Sequence, residues 1–244
     1  MIKIGTCGFT LKHFKYFNVI EIQETFYNFV SEEKIRKWRD LSIKNNVELT
    51  IKANQIITHP YNKNTYKRLK NLIGNPDNYG LFKPTKEVEK ALEIVINEAR
   101  ELGSKIIIFQ TPPSFKPTPE NIMNLKNFLS ILDKNYMYGW EPRGEWYLNS
   151  NLLTEIFEEF NLIHVVDPFR HFPLSSINTR YYRLHGIGKG EVNYKYKYKD
   201  ADLEKLKEYI EQNDKNMKDV YVLFNNVYSF DDAIRFKSIM SIKS

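Results

Sequence analysis

A single cysteine, Cys7, stands in 244 residues, which excludes a disulfide within the chain and any zinc site built from several thiolates. No run of about 18 apolar residues is present, and no charged start leads into the apolar segment of a secretory leader. A soluble, cytoplasmic protein in a reducing compartment is expected, without a membrane and without an obligate protein partner. No Gly-x-Gly-x-x-Gly follows an apolar run, so the turn that marks a dinucleotide-binding sheet is missing. Neither His-x-His nor His-Glu-x-x-His occurs, so no short motif fixes two imidazoles on one metal. Internal repeats and low-complexity tracts are also absent.

What is present suits one large core. Hydrophobic residues make up 42% of the chain, and a single αβ barrel takes about 250 residues, so one domain over 1–244 is expected. Net charge is +6 with a pI near 9.1. That balance favours an anionic small molecule or nucleic acid as partner, and it equally fits a lysine-rich soluble enzyme.

Eight apolar segments alternate with amphipathic ones. Met1 to Gly8 reads as a strand entering a glycine-bounded turn, and Val19 to Tyr27 alternates with period two. Ile20 and Ile22 lie on one side there; Val19, Glu21 and Gln23 lie on the other. Ser31 opens a helix carrying Ile35, Trp38 and Leu41, after which Val47 to Lys52 is a third strand. A polar stretch from Thr58 to about Tyr79 reads as a long loop with a helical piece, ahead of a helix from Thr85 that Gly103 stops. Strands follow over 105–110, 136–140, 162–168, 180–186 and 220–226, mostly separated by helices. The expected fold is a parallel (β/α)8 TIM barrel with a helical excursion after strand three; an open doubly wound sheet is the alternative.

Strand endings carry the chemistry. If the last residue of each strand points into the barrel, the mouth receives Gln23, Lys52, Gln110, Glu141, Asp167, His185 and Asn225, with Glu21, Arg183 and Tyr221 one pleat below. All can hydrogen-bond or titrate. Active sites of this fold lie at the carboxyl ends of its strands, so convergence is expected on geometry alone. Polar strand ends that merely meet solvent are the bland alternative.

Gly5-Thr6-Cys7-Gly8-Phe9, Glu21-Ile22-Gln23-Glu24-Thr25-Phe26-Tyr27, Lys52-Ala53, Thr58-His59, Gln110-Thr111-Pro112-Pro113, Trp140-Glu141-Pro142-Arg143, Tyr182-Arg183-Leu184-His185-Gly186 and Phe224-Asn225-Asn226 occur in this order. Together they resemble the motifs of the YecE-like family of uncharacterised proteins, across nearly the whole chain. The resemblance implies a TIM barrel distantly similar to endonuclease IV and sugar isomerase barrels, with a polar pocket. Cys7, Phe9 and Gln23 depart from the family's usual serine, tryptophan and asparagine.

Three chemistries fit these residues. Glu21, Glu141, Asp167, His185 and His59 are potential ligands for a divalent metal with an open water position. Without metal, Lys52, Arg143, Arg183 and His185 would bind an anion while Glu141 or Glu21 acts as base and His185 as acid. The catalytic set is then Glu21, Glu141 and His185, and the binding set Gln23, Lys52, Gln110, Arg143, Asp167, Arg183, Tyr221 and Asn225. Ion pairs that only position the pocket are an equal reading. Third, Tyr194, Lys195, Tyr196 and Lys197 interleave aromatic and basic groups as nucleic-acid binding requires, although a solvated edge with packed tyrosines shows the same alternation. Cys7 reads as packing rather than nucleophile, His59 as exposed, His164 as a structural histidine of the helix layer, and Trp146 as a wall of the pocket. A hydrolase or lyase on a phosphate-bearing substrate, nucleic acid included, is the expected activity; a non-catalytic binder of RNA, DNA or a small anion is its rival. On this reading Glu141→Gln and Arg183→Ala weaken ligand binding with little loss of folding.

Overall fold

The protein is described by a computed structural model over residues 1–241; the last three residues of the domain expected over 1–244 lie outside the described residues. Eight strands, β1 (Ile2–Cys7), β2 (Val19–Ile22), β3 (Glu48–Lys52), β4 (Ile106–Gln110), β5 (Met137–Glu141), β6 (Ile163–Val166), β7 (Thr179–Leu184) and β8 (Asp219–Phe224), form a closed parallel barrel in sequence order. The helices in chain order are α1 (Glu24–Tyr27), α2 (Glu32–Asn45), α3 (Gln55–Thr58), α4 (Lys63–Tyr66), α5 (Lys86–Leu102), α6 (Pro119–Ser130), α7 (Ser150–Glu159), α8 (Asp200–Asn213) and α9 (Ser229–Ser241).

Period two separates two apolar layers. Val19, Ile106, Ile108, Ile163, Val165, Tyr181 and Leu223 pack together in the lumen. Their neighbours of opposite parity, including Ile20, Ile22, Leu49, Ile51, Ile107 and Phe109, pack against the helices. Burying both faces is what a parallel barrel demands of its strands. Gly5 shows how tightly the staves meet, because a β-carbon there would sit 1.8 Å from the Val19 carbonyl oxygen.

The bottom of the lumen is closed by polar groups. Lys3 Nζ donates to Glu48 Oε2 at 2.6 Å and to the Tyr221 hydroxyl at 2.9 Å, and Tyr221 donates to Glu48 Oε1 at 2.7 Å. Each group has a partner, as burial requires.

One expectation changes. The second strand stops at Ile22 instead of reaching Tyr27, because the Thr25 hydroxyl donates to the carbonyls of Ile22 (3.0 Å) and Lys52 (2.7 Å) and turns the chain into α1. The excursion after β3 carries helical pieces as expected: Asn54 and Asn62 cap α3 and α4, and the buried Tyr66 donates to the His59 carbonyl at 2.6 Å. Helix α5 matches expectation, with Thr85 accepting from Val88 N and Gly103 ending it at φ 72°.

Candidate functional site

Two chain segments bring two guanidiniums and an imidazole to one carboxylate. Glu141, the last residue of β5, accepts from Arg143 Nη2 at 2.5 Å and Nε at 3.1 Å, from Arg183 Nη1 on β7, and from His185 Nε2 at 2.9 Å just beyond β7. Arg183 reaches back with Nη2 to Glu21 Oε1 on β2 at 3.0 Å and with Nε to Cys7 Sγ on β1 at 3.4 Å. Glu21 also accepts from the Tyr181 hydroxyl at 2.9 Å and from Gln23 at 2.8 Å. Arg183 is 1% exposed, Glu21 0% and Glu141 3%, so this is an interior network. Burial alone would raise the Glu141 carboxyl, but Arg183, Arg143 and His185 override it and hold it well below the usual carboxylate range.

His185 is neutral. Burial takes its pKa down to about 4 despite Glu141, and Asn225 Nδ2 lies 3.1 Å from Nδ1. With the Asn225 amide so oriented, the ring proton sits on Nε2 and points at Glu141. Asp167 works on backbone: it accepts from His185 N at 2.9 Å and Phe169 N at 3.0 Å, and burial raises it to about 6.

Above this frame opens a cavity of about 350 Å³ lined by Gln23, Tyr27, Lys52, Gln110, Arg183, Tyr194, Asn225, Asn226 and Val227. Lys52 Nζ donates to Gln110 Oε1 at 2.9 Å and lies 3.6 Å from the centre of the Phe26 ring. No carboxylate among the described residues pairs with it. Burial first and Arg183 second lower its pKa to about 7, against the pull of Glu141 and Glu21. Glu141, Arg143, Asp167 and His185 line instead a cleft of about 20 Å³ with Arg170 and Glu191, room for about one water.

The structure therefore gathers Gln23, Lys52, Gln110, Arg183 and Asn225 in one cavity, with Glu21, Glu141, Arg143, Asp167 and His185 around or beneath it. It does not bring Tyr221 there, whose hydroxyl serves the opposite end. The alternating loop divides: Tyr194 stands at the rim, its ring 5.8 Å from that of His185, while Lys195 and Lys197 are exposed. Tyr196 turns inward and donates to Asp202 at 2.6 Å. His59 is not exposed as expected; it packs on Phe26 with ring centres 5.1 Å apart, and burial lowers it to about 3. Trp146 does not wall the cavity, since it is fully buried between Phe115 and Trp140. His164 does lie in the helix layer, stacked on Phe157 at 4.5 Å. Sequence reasoning passed over Tyr181, Phe26, Tyr27 and Asn226; the parity that placed Arg183 also points Tyr181 inward, whereas the other three lie beyond the strands.

Residues 9–244 match the family described as a protein of unknown function, DUF72. The chain belongs to the DUF72 family. A DUF72 protein of Enterococcus faecalis V583 superposes with a TM-score of 0.77 at 17% identity, over 100% of this chain and 97% of its own. One from Thermotoga maritima gives 0.71 at 21% identity, over 99% and 100%. Endonuclease IV from Thermus thermophilus gives 0.54 at 11% identity, over 98% of each chain. These likenesses show the shared barrel fold. No curated protein matches the sequence.

In this DUF72 chain no group of three or more His, Cys, Asp and Glu side chains among the described residues is placed to hold a metal ion. The donor chemistry explains why: Glu141 accepts from two guanidiniums and an imidazole, and both nitrogens of His185 have partners. Among the described residues no helix is long and apolar enough to cross a membrane.

Proposed function

We propose that this DUF72 protein is a hydrolase or lyase acting on a small phosphate-bearing substrate seated in the mouth cavity. The observation that carries the proposal is Lys52. Among the described residues it is the cation of the cavity without a carboxylate partner, and burial with Arg183 brings it to about 7, where an amine exchanges protons at neutral pH. A protonated Lys52 binds phosphate, and a neutral one is a base. Glu21 and Glu141, saturated by donors, hold Arg183 and Arg143 in place rather than taking protons from substrate. The carboxylates read from the sequence as general bases thus become positioning residues, and the cationic cluster shrinks to one unpaired member. Preorganised dipoles around a cavity are how such a site stabilises developing charge.

The distant likeness to endonuclease IV supports phosphate chemistry as a class. The test is turnover of a panel of phosphate monoesters and abasic DNA, with and without divalent metals, alongside Lys52→Met. Release of phosphate or strand cleavage that disappears in the variant is expected. If no substrate is consumed while RNA binds in a salt-sensitive way, the protein is instead a binder. That second reading draws on Tyr194, 46% exposed at the rim, and on the exposed Lys195 and Lys197.

A further inference from the structure

We infer that Lys52 is an imine-forming lysine whose ε-amine condenses with the carbonyl of an open-chain sugar phosphate in the mouth cavity. The inference rests on the proposed function and narrows it from hydrolase or lyase to carbonyl chemistry of the lyase kind. Its first support is placement. The amine ends a barrel strand, backs onto the Phe26 ring and is held by the neutral Gln110 amide, so a small movement frees its lone pair toward the cavity. Its second support is the lining. Gln23, Gln110, Asn225 and Asn226 supply amides and Tyr194 a hydroxyl, groups that pair with the hydroxyls of a polyol. Asn226 Oδ1 is buried and lacks a hydrogen-bond partner among the described residues. About 350 Å³ suits a small molecule of this size.

Four charged groups and one neutral imidazole face Lys52. Arg183 on β7 and Arg143 after β5 oppose its protonation, Glu141 on β5 and Glu21 on β2 favour it, and the neutral His59 lies behind Phe26. The Phe26 ring face attracts the ammonium form and so draws the titration back upward. Burial and the two guanidiniums outweigh these pulls, so the amine titrates near 7. In the step itself the Lys52 lone pair attacks the carbonyl carbon and a C–N bond forms. The carbonyl oxygen then leaves as water with the two amine hydrogens, and no oxidant or reductant is needed.

Reductive trapping tests this. The intact protein is mixed with D-ribose 5-phosphate and sodium cyanoborohydride, and the labelled lysines are mapped by mass spectrometry across pH. A lysine at the ordinary value of 10.5 has roughly one neutral amine in three thousand at pH 7, so labelling confined to Lys52, with a midpoint near neutrality, is expected. Lys52→Arg and Lys52→Met, with melting curves to confirm folding, should lose that label. Label spread over exposed lysines with Lys52 unmarked in the folded wild type overturns the inference. Inorganic phosphate is titrated in parallel by thermal shift: a shift without Lys52 labelling removes the imine and leaves the phosphate site, whereas neither signal removes both.

Discussion

Replacing Arg183 by methionine removes the guanidinium that bridges Glu21 and Glu141. The wild-type guanidinium, 1% exposed, donates to both carboxylates and to Cys7 Sγ. Without it Glu21 keeps Tyr181 and Gln23, and Glu141 keeps Arg143 and His185, but two buried negative charges face one cation. Removing one member of a buried ion pair costs about 3–5 kcal/mol. In a domain of this length each kcal/mol moves the melting temperature by about 2–4 °C, so a fall of roughly 6–20 °C is expected. The sequence alone suggested little loss of folding from changes at Arg183 or Glu141; complete burial reverses that. Calorimetry and urea unfolding read the loss. A second signal separates electrostatics from packing, because Arg183 is the strongest charge opposing protonation of Lys52. The midpoint of Lys52 labelling should move to higher pH in the variant. A loss of stability below about 1 kcal/mol, the range of exposed pairs, would refute the network as a buried frame; an unmoved midpoint would refute its control of Lys52.

Other outcomes follow from single groups. His185, with a folded pKa of about 4, should show the neutral Nε2-protonated ring in nitrogen NMR at pH 7; a charged ring at that pH refutes the assignment. Because that pKa lies below the unfolded value, His185 favours folding fully above about pH 6.5, and this contribution is lost as acid protonates the unfolded chain and the pH approaches the folded value. Gly186→Ala should displace the loop bearing Tyr194, since φ is 87° and a β-carbon would lie 2.1 Å from the Asn193 carbonyl oxygen; limited proteolysis after Lys195 would rise, and an unchanged digest would count against it. Cys7, buried and with its thiol pushed up first by burial, should resist Ellman's reagent until the protein unfolds.

Strand parity was legible because a barrel buries both faces: Glu21, Lys52, Glu141 and Arg183 point inward as period two requires. Height along the axis was not. Tyr221 shares the inward face of β8 with Leu223 and Asn225, yet it lies two pleats below Asn225 rather than the expected one, and joins Lys3 and Glu48 at the floor. Parity fixes which way a side chain points, whereas strand stagger, set by inter-strand register, fixes its level. Loop residues lacked even parity, so Trp146, His59 and Tyr196 took positions that no periodicity announces. The mutual saturation of Glu141, Arg143, Arg183 and His185 also depends on three-dimensional distances that the order of motifs does not contain.

The saturation decides what the mouth offers a ligand. Arg143 and Arg183 are balanced by Glu141 and Glu21, so these four contribute no net charge, and the chain's excess of +6 is not concentrated there. A substrate entering the cavity meets amides, two phenols, the carboxylate-paired Arg183 and one amine. Binding strength must then come from hydrogen bonds to hydroxyls and from Lys52, with a phosphate adding only what a single ammonium and ordered dipoles provide. This predicts a shallow dependence of small-ligand affinity on salt, close to that of one ion pair. A steep dependence would mean that the guanidiniums leave their carboxylates on binding, and the buried network would then be a moving part of the site.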